Sequence, residues 1–389
     1  MAGATTTSAA AVDTTTPAAD PLGKPNKATG SPVKVGYINS GVSAAIDGTE
    51  EAAAADATVK YVNDYLGGIA GHEIQLDQCA TNEDPAIAAT CGDKMIQDGV
   101  VAVLMNVNGQ VAPWATPVIA AKIPIIAYNT ADGSTLVPGA PVFVLSNPLG
   151  GLGVFPAAIA KKNSFTKAAI VTVDVPAAVG PVKALVPPTM AASGVPAADI
   201  VALPQGQADF GPQIQAELKN SPQLVHIIGN PAFCASVITA LRDASYTGVI
   251  TMISNCLDKA TVTSLGDKLK GILVSYNAGE DPTDPDFTIF KALVAKYNDK
   301  INPSGTPVGA YVAVIGFQRL LNGITGDVTS ASIISTIKAN PGVPYPTIKG
   351  NQIICDGKQT VLPIGCSKGF AYATLDATGT ATGFTPVLG

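Results

Sequence analysis

The stretch YVNDYLGGIAGHEIQLDQCATNEDPAIAATCGDKMIQDGVVAVL, residues 61–104, holds two complete helix-to-strand steps of an open parallel sheet. Its apolar positions run to Leu66 and stop at Gly67 and Gly68, residues free to take the left-handed backbone that ends a helix. Ile74 and Leu76 then alternate with Glu73, Gln75 and Asp77, the period of a strand covered on one face. Asn82 or Asp84 can cap the next helix, Pro85 stands where a first-turn proline is tolerated, and Gly99 stops that helix. The run Val100 to Leu104 is almost wholly apolar, as suits a parallel strand buried on both faces.

Outward from this stretch, 389 residues exceed one typical domain, so two are expected. Hydrophobic residues make up 47% and charged residues 13%, which is material for two cores. A net charge of -6 and a pI near 4.9 argue against nucleic acid or an anionic membrane surface as partner. Pro, Gly or charge interrupts every apolar run before it reaches the length of a membrane span, and no signal-peptide apolar core is present. The six cysteines fall as local couples, Cys79 with Cys91, Cys234 with Cys256 and Cys355 with Cys366, although six permit fifteen pairings. Without a C-x-x-C or Cys/His cluster, this even count points to structural disulfides in an oxidising compartment.

Residues Met1 to Ser31 are Ala, Thr, Ser, Pro and Gly with little to bury, and are expected to form a flexible tether. Val33 to Asn39 reads as the first strand, and Asp47 to Leu66 as a long helix. After the strands of the opening stretch come apolar runs at Ile123 to Ala127 and Val142 to Leu145. From Asn147 a helix to Ala160 starts the pattern afresh. Strands follow at 168–173, 200–203, 224–228, 249–253 and 272–276, with helices expected at 182–193, 212–218 and 232–244. Such alternation predicts parallel sheets with helices on both faces. Amphipathic helices are expected at Phe287 to Tyr297, Val308 to Leu321 and Ala331 to Lys338, then short strands.

Asn63, Gly67-Gly68-Ile69, Gly71, Asp84-Pro85, Ala88, Lys94, Asp98-Gly99-Val100 and Ala102-Val103 fall in a recognisable order and spacing. In these the chain, from about Val33 to about Tyr345, resembles the extracytoplasmic solute-binding proteins of branched-chain amino acid type ABC importers. The resemblance implies an α/β fold of two doubly wound parallel-sheet lobes joined by three crossover hinge segments, the type I periplasmic binding protein. It implies crossovers near 145–148, 276–279 and 341–346. One lobe would then take residues 32–146 plus 279–340, and the other 147–278 plus 341–389. It further implies a monomer that binds a small organic ligand and serves ABC permease subunits outside the cytoplasm. In that family a tail like residues 1–31 often follows a lipidated cysteine. None stands here, so a native start other than Met1 is expected.

Enzyme motifs are scarce. Gly151-Leu152-Gly153 opens like a dinucleotide fingerprint, yet Pro156 stands at the third glycine and no strand precedes it. No phosphate loop, zinc-protease or nucleophile-elbow motif occurs. The two histidines, His72 and His226, read as structural. No cofactor, metal or catalytic residue is expected.

In open α/β sheets, ligands meet the loops at the carboxyl ends of strands. Here those loops offer Ser40, Ile46, Asn106, Asn108, Gly109, Gln110, Trp114, Tyr128, Asn129, Thr130, Val175, Val179, Asn230, Phe233, Asn255 and Tyr276. Asn106, Asn108, Asn129 and Asn230 would supply directional hydrogen bonds, and Trp114, Tyr128 and Phe233 apolar walls. Members of the resembled family hold a ligand carboxylate with hydroxyls and backbone amides on the loop after the third strand and with a Ser/Thr on the next loop. They hold the ammonium with an acid from the second lobe. At that last position this chain reads Ser254, Asn255, Cys256, Leu257, and Asp258 is expected to begin a helix.

A buried ammonium needs a paired charge, so the expected guest is a neutral or weakly anionic organic molecule, aromatic or alicyclic, rather than a zwitterionic amino acid. A binder of branched-chain or other hydrophobic amino acids is the alternative within the class. A ligand-sensing receptor module is the alternative outside it, and an enzyme ranks third.

Overall fold

Strand β1 (Gly30–Asn39), helix α1 (Thr49–Tyr65), β2 (His72–Ala80), α2 (Pro85–Gln97), β3 (Val103–Met105), α3 (Val111–Ala120), β4 (Ile125–Ala127) and β5 (Val142–Val144) form the first lobe in chain order. The structure is a computed structural model that describes residues 20–43, 47–207 and 209–388. The five strands make a parallel sheet of order β2-β1-β3-β4-β5. Within the opening stretch, Asn63 on α1 donates to the Ile74 carbonyl and accepts from the Ile74 N–H, both at 2.9 Å, which fixes the helix to the edge strand. Gly68, at φ +67, lies so close to His72 that a Cβ would stand 1.9 Å from its carbonyl oxygen, so the turn excludes any side chain. Asp84 caps α2 by accepting from the Ala86 and Ile87 N–H groups.

The second lobe opens on a π-helical turn, Gly150–Val154, that runs into α4 (Phe155–Lys162). Then follow β6 (Ala168–Val173), α5 (Pro176–Ala192), β7 (Asp199–Leu203), α6 (Gly211–Leu218), β8 (Leu224–Ile228), α7 (Pro231–Asp243), β9 (Val249–Ile253), α8 (Lys259–Leu265) and β10 (Leu273–Tyr276). The chain returns to the first lobe with α9 (Pro285–Tyr297), α10 (Thr306–Leu320) and α11 (Ser330–Ala339). A two-stranded ribbon, β11 (Val343–Pro344) with β12 (Gln352–Ile353), precedes β13 (Phe370–Leu375) and β14 (Ala381–Val387). The second sheet has the order β14-β13-β10-β9-β8-β6-β7, parallel except that β13 pairs antiparallel with β10 and with β14. Two doubly wound lobes joined by three crossovers result.

Four expectations change. Residues 20–31 are folded onto the first lobe rather than free. Leu22 and Ala28 are buried, and the Asn26 and Ala28 N–H groups donate to the carbonyls of Asp64 and Asn63. Two apolar side chains and a glycine turn that offers carbonyls suffice to dock this polar segment. Helix α5 starts at Pro176, not near 182, and carries Pro181, Pro187 and Pro188 inside it. Its first proline sits in the first turn, where no N–H is needed. Helix α10 is buried on every side from Pro307 to Phe317 instead of being amphipathic. Gly309 and Gly316 allow that, because Asn106 and Leu145 approach where a Cβ would stand. The fourth is the edge strand β2, whose residues after Ile74 are half-buried apart from Gln75 rather than cleanly alternating.

All three cysteine couples are bonded: Cys79–Cys91 joins β2 to α2, Cys234–Cys256 joins α7 to the turn after β9, and Cys355–Cys366 closes a loop before β13.

Candidate functional site

Strands β3 and β4 point their carboxyl ends toward those of β8, β9 and β10, and a cavity of about 550 Å³ lies between. Its first-lobe wall is Val107, Asn108 and Gly109 after β3, and Tyr128 to Gly133 after β4. Its second-lobe wall is Ile228, Ile253, Ser254, Asn255 and Ser275 at strand ends, with Ala178 and Pro181 from the first turns of α5. Pro148, Gly151, Leu152 and Asn277 come from the crossovers and the π-helical turn.

Six of the sequence-selected residues therefore meet in one cavity: Asn108, Gly109, Tyr128, Asn129, Thr130 and Asn255. The others stand behind it or apart. Ser40 donates to the Val107 carbonyl at 3.0 Å and fixes the loop. Asn106 is buried and donates to the Thr306 carbonyl at 2.9 Å. Trp114 is fully buried, its indole N–H directed at Asn108 Oδ1 at 3.4 Å. Gln110 flanks the start of α3, and its N–H donates to the same Asn108 oxygen at 3.0 Å. Asn230 caps α7 by accepting from the Phe233 N–H, and Phe233 packs on Phe210 in the core. Val175 precedes α5, with Val179 in its first turn, yet Ala178 and Pro181 are the α5 residues in the wall. Tyr276 is buried, its ring 5.4 Å from that of Phe384. Ile46 lies outside the described residues.

The residues that loop reading missed share a signal. Ile228, Ile253 and Ser275 are the last or next-to-last residues of β8, β9 and β10, just inside the strands whose following loops supplied the candidates. Gly151 and Leu152 belong to the broken dinucleotide motif, whose glycines serve close packing: a Cβ on Gly151 would stand 3.1 Å from Ile253 Cγ2. His226 holds this turn. Its Nε2 lies 2.8 Å from the Gly151 carbonyl and its Nδ1 2.8 Å from Thr251 Oγ1. A carbonyl only accepts, so Nε2 carries the proton. Burial pushes the imidazole down to about 4, so it stays neutral.

Among the described residues the wall carries no Lys, Arg or His. Its one acid is Asp132, a residue the sequence reading did not place in the site, whose Oδ1 accepts from the Ser134 N–H at 2.9 Å and hydroxyl at 2.6 Å. Two backbone donors after β3 are engaged, Gly109 N–H by Glu83 Oε1 at 3.2 Å and Gln110 N–H by Asn108 Oδ1. Burial, with the Glu280 carboxyl nearby, holds the Tyr128 hydroxyl far above its ordinary pKa. Glu280 itself accepts from Ser304 Oγ at 2.7 Å and the Gly305 N–H at 2.8 Å. Among the described residues no group of three or more His, Cys, Asp or Glu could hold a metal ion. No helix there is long and apolar enough to cross a membrane.

A family model described as periplasmic binding protein matches residues 32–366. The chain belongs to this family. Its members are binding proteins rather than enzymes, and they work outside the cytoplasm. Solved members share the fold at low identity. A solute-binding protein of an ABC transporter from Rhodopseudomonas palustris HaA2, in complex with p-hydroxybenzoic acid, is 16% identical over 92% of this chain and 98% of its own, with a TM-score of 0.72. The branched-chain amino acid transporter substrate-binding protein LivJ from Streptococcus pneumoniae, in complex with isoleucine, is 19% identical over 91% and 99%, with a TM-score of 0.69. A fatty acid ABC transporter substrate-binding protein from Thermomonospora curvata is 14% identical over 95% of each chain, with a TM-score of 0.70. No curated protein sequence matches the chain.

Proposed function

We propose that this periplasmic binding protein is the solute-binding subunit of an ABC importer, and that its guest is a neutral or weakly anionic organic molecule, aromatic or alicyclic. The observation that carries this reading is the wall itself, which among the described residues has no basic residue and one acid with an oxygen already committed. A zwitterion brings two charges into a cleft that closes on it, and each unpaired charge is costly to bury. Glu83 already engages the Gly109 amide of the wall, and a carboxylate brought there would meet that acid, which supports the neutral end of the range. The structures of this fold include one with p-hydroxybenzoic acid and one with isoleucine, so the choice rests on the wall and not on the fold.

Closure would bend the crossovers. Two of them are linked, because the Tyr345 hydroxyl donates to the Asn277 carbonyl at 2.5 Å and the Gly279 N–H donates to Thr347 Oγ1 at 2.9 Å. The closed form would be what the permease receives. A lipid tether at a native N-terminus belongs to the same proposal, and intact mass from the native host tests it.

Asp132 favours a second reading, a binder of hydrophobic amino acids whose ammonium meets the free oxygen of that carboxylate. Native mass spectrometry of freshly purified protein, followed by denaturing release, separates the two. A co-purifying molecule without an amine supports the first. Micromolar binding of leucine, isoleucine or valine by calorimetry overturns it.

A further inference from the structure

The turn after β2 lies outside the cavity wall but holds the loop that forms part of it. Thr81 Oγ1 accepts from Asn108 Nδ2 at 2.8 Å, and Glu83 Oε1 accepts from the Gly109 N–H at 3.2 Å. Asn108 and Gly109 both line the cavity. A hydroxyl suffices to hold such a loop, whereas a carboxylate brings a charge with it. Among the described residues that charge has no ion-pair partner, and the wall has no basic residue to offset it.

The backbone on both sides serves this contact. Asn82 and Glu83 are consecutive residues at φ +51 and +54, a left-handed conformation that side-chain-bearing residues keep only where their surroundings hold it. Asn82 Oδ1 accepts from the Val42 N–H at 3.1 Å, and the Thr81 N–H donates to the Asn39 carbonyl at 3.0 Å, which pins the turn to β1 and the loop after it. Gly109 is not left-handed, so its backbone does not call for glycine on that account. What it provides is room, because a Cβ there would overlap Glu83 Oε2. The carboxylate thus has one oxygen on the Gly109 N–H and the other where a side chain would stand. Peptide N–H groups in such turns are ready donors to an anion. Here the protein supplies the anion itself.

We propose that Glu83 sets the charge selectivity of the cavity: its carboxylate occupies the Gly109 donor and repels a second carboxylate brought to the same loop, so acids are excluded in favour of their uncharged counterparts. This rests on the reading of the cavity as a site for an organic molecule without an ammonium, and narrows it to uncharged guests. Discrimination by a repulsive element has a distinct signature. Loss of a structural support makes every ligand bind worse. Loss of a filter makes the excluded class bind better.

The test uses the full chain, with calorimetry of two matched pairs, cyclohexanecarboxamide with cyclohexanecarboxylate and 4-hydroxybenzamide with 4-hydroxybenzoate, and leucine as control. The wild type should prefer the amide of at least one pair. Glu83→Gln, which keeps an acceptor for Gly109 and removes the charge, should cut that preference about tenfold or more through a gain in carboxylate affinity. A preference that survives the substitution overturns the proposal, as does a wild type that prefers the carboxylate, and either result leaves the organic-guest reading intact. A second measurement needs no guest. Asn–Gly peptides occur only at 108–109 and 322–323, so labelling the Asn carbonyl carbon and the Gly nitrogen yields two amide signals, with Gly323 as reference. At constant ionic strength, acetate should shift the Gly109 signal saturably in Glu83→Ala and leave it in place in the wild type. A signal that moves alike in both proteins, or in neither, overturns the proposal. Where neither pair binds, the acetate shift decides the part of Glu83 by itself, and micromolar binding of leucine would separately overturn the reading of the guest.

Discussion

The Tyr37 hydroxyl donates to Glu51 Oε1 across 3.2 Å in the interior of the first lobe, and Oε2 of the same carboxyl has no hydrogen-bond partner among the described residues. Glu51 lies in the first turn of α1 and is fully buried. Burial outweighs the hydrogen bonds from Tyr37 and Asn106 and pushes its pKa up to about 8. The folded protein therefore holds a proton here that the unfolded chain, with an ordinary carboxyl, has released.

Stability at this site falls as pH rises from the ordinary carboxyl range toward about 8, because over that window the folded state binds more protons than the unfolded one. Above neutrality no other shift described here opposes it. Denaturant unfolding between about pH 6.5 and 9 should show a midpoint that declines with pH in the wild type. Glu51→Gln, neutral throughout, should flatten the decline. An unchanged slope in the variant would show that Glu51 is ionised in the folded protein.

His226 works in the opposite sense. Its folded pKa of about 4 lies below that of an unfolded histidine, so stability is complete above about pH 6.5 and is lost as pH falls toward 4. The full loss is roughly 3 kcal/mol. Over the lower part of the Glu51 window the two slopes cancel in part, so the acid loss is best read in the Glu51→Gln background. His226→Leu should remove that acid dependence. It should also cost about 2–4 kcal/mol at neutral pH by orphaning the Gly151 carbonyl and Thr251 hydroxyl. Since Gly151 stands in the cavity wall, ligand affinity should fall with it.

These two groups show where sequence reading reaches and where it stops. The lobes and their strand order follow from periodicity and caps that act locally, as Asn63, Gly68 and Asp84 do. A structural role for His226 was legible from its apolar strand. Its partner was not, because Gly151 is distant in sequence and meets it only after the lobe has folded. The site was half legible for the same reason. Strand ends locate the loops, but whether an asparagine faces a cavity or caps a helix depends on its neighbours. Asn230 and Asn129 look alike in sequence, yet the side-chain oxygen of the first accepts from the Phe233 N–H and that of the second has no partner among the described residues. Asp132 was not among the candidates because it lies two residues past Thr130, the last of those after β4.

Gly309 on α10 supports the site from behind. A Cβ there would stand 2.2 Å from Asn106 Oδ1 and 3.0 Å from Tyr128 Cδ1. Alanine favours a helix by about 1 kcal/mol over glycine. The overlap should outweigh that gain, because Asn106 is buried and its amide holds the Thr306 carbonyl at the start of α10. Gly309→Ala should destabilise by about 1–3 kcal/mol and, by moving Tyr128, weaken the ligand identified by mass spectrometry. A variant as stable as wild type with unchanged affinity would show that the backbone yields there without cost.

Two of the disulfides separate stability from binding. Cys79–Cys91 and Cys234–Cys256 span 12 and 22 residues. By loop-closure entropy each should contribute about 3 kcal/mol, so the paired Cys→Ala variants should lose similar stability in denaturant titrations. Their effects on the cavity should differ. Cys79 and Cys91 join β2 to α2, and neither they nor their neighbours line it. Cys256 follows Ser254 and Asn255 directly in the turn after β9, and its bond to Cys234 anchors that turn to α7. Removing the second bridge should therefore weaken ligand binding by several-fold at a temperature where both variants remain folded, while removing the first should leave affinity within about twofold, a difference well under 1 kcal/mol. Equal affinity in the two variants would mean that β9 and α8 hold the turn without the bridge.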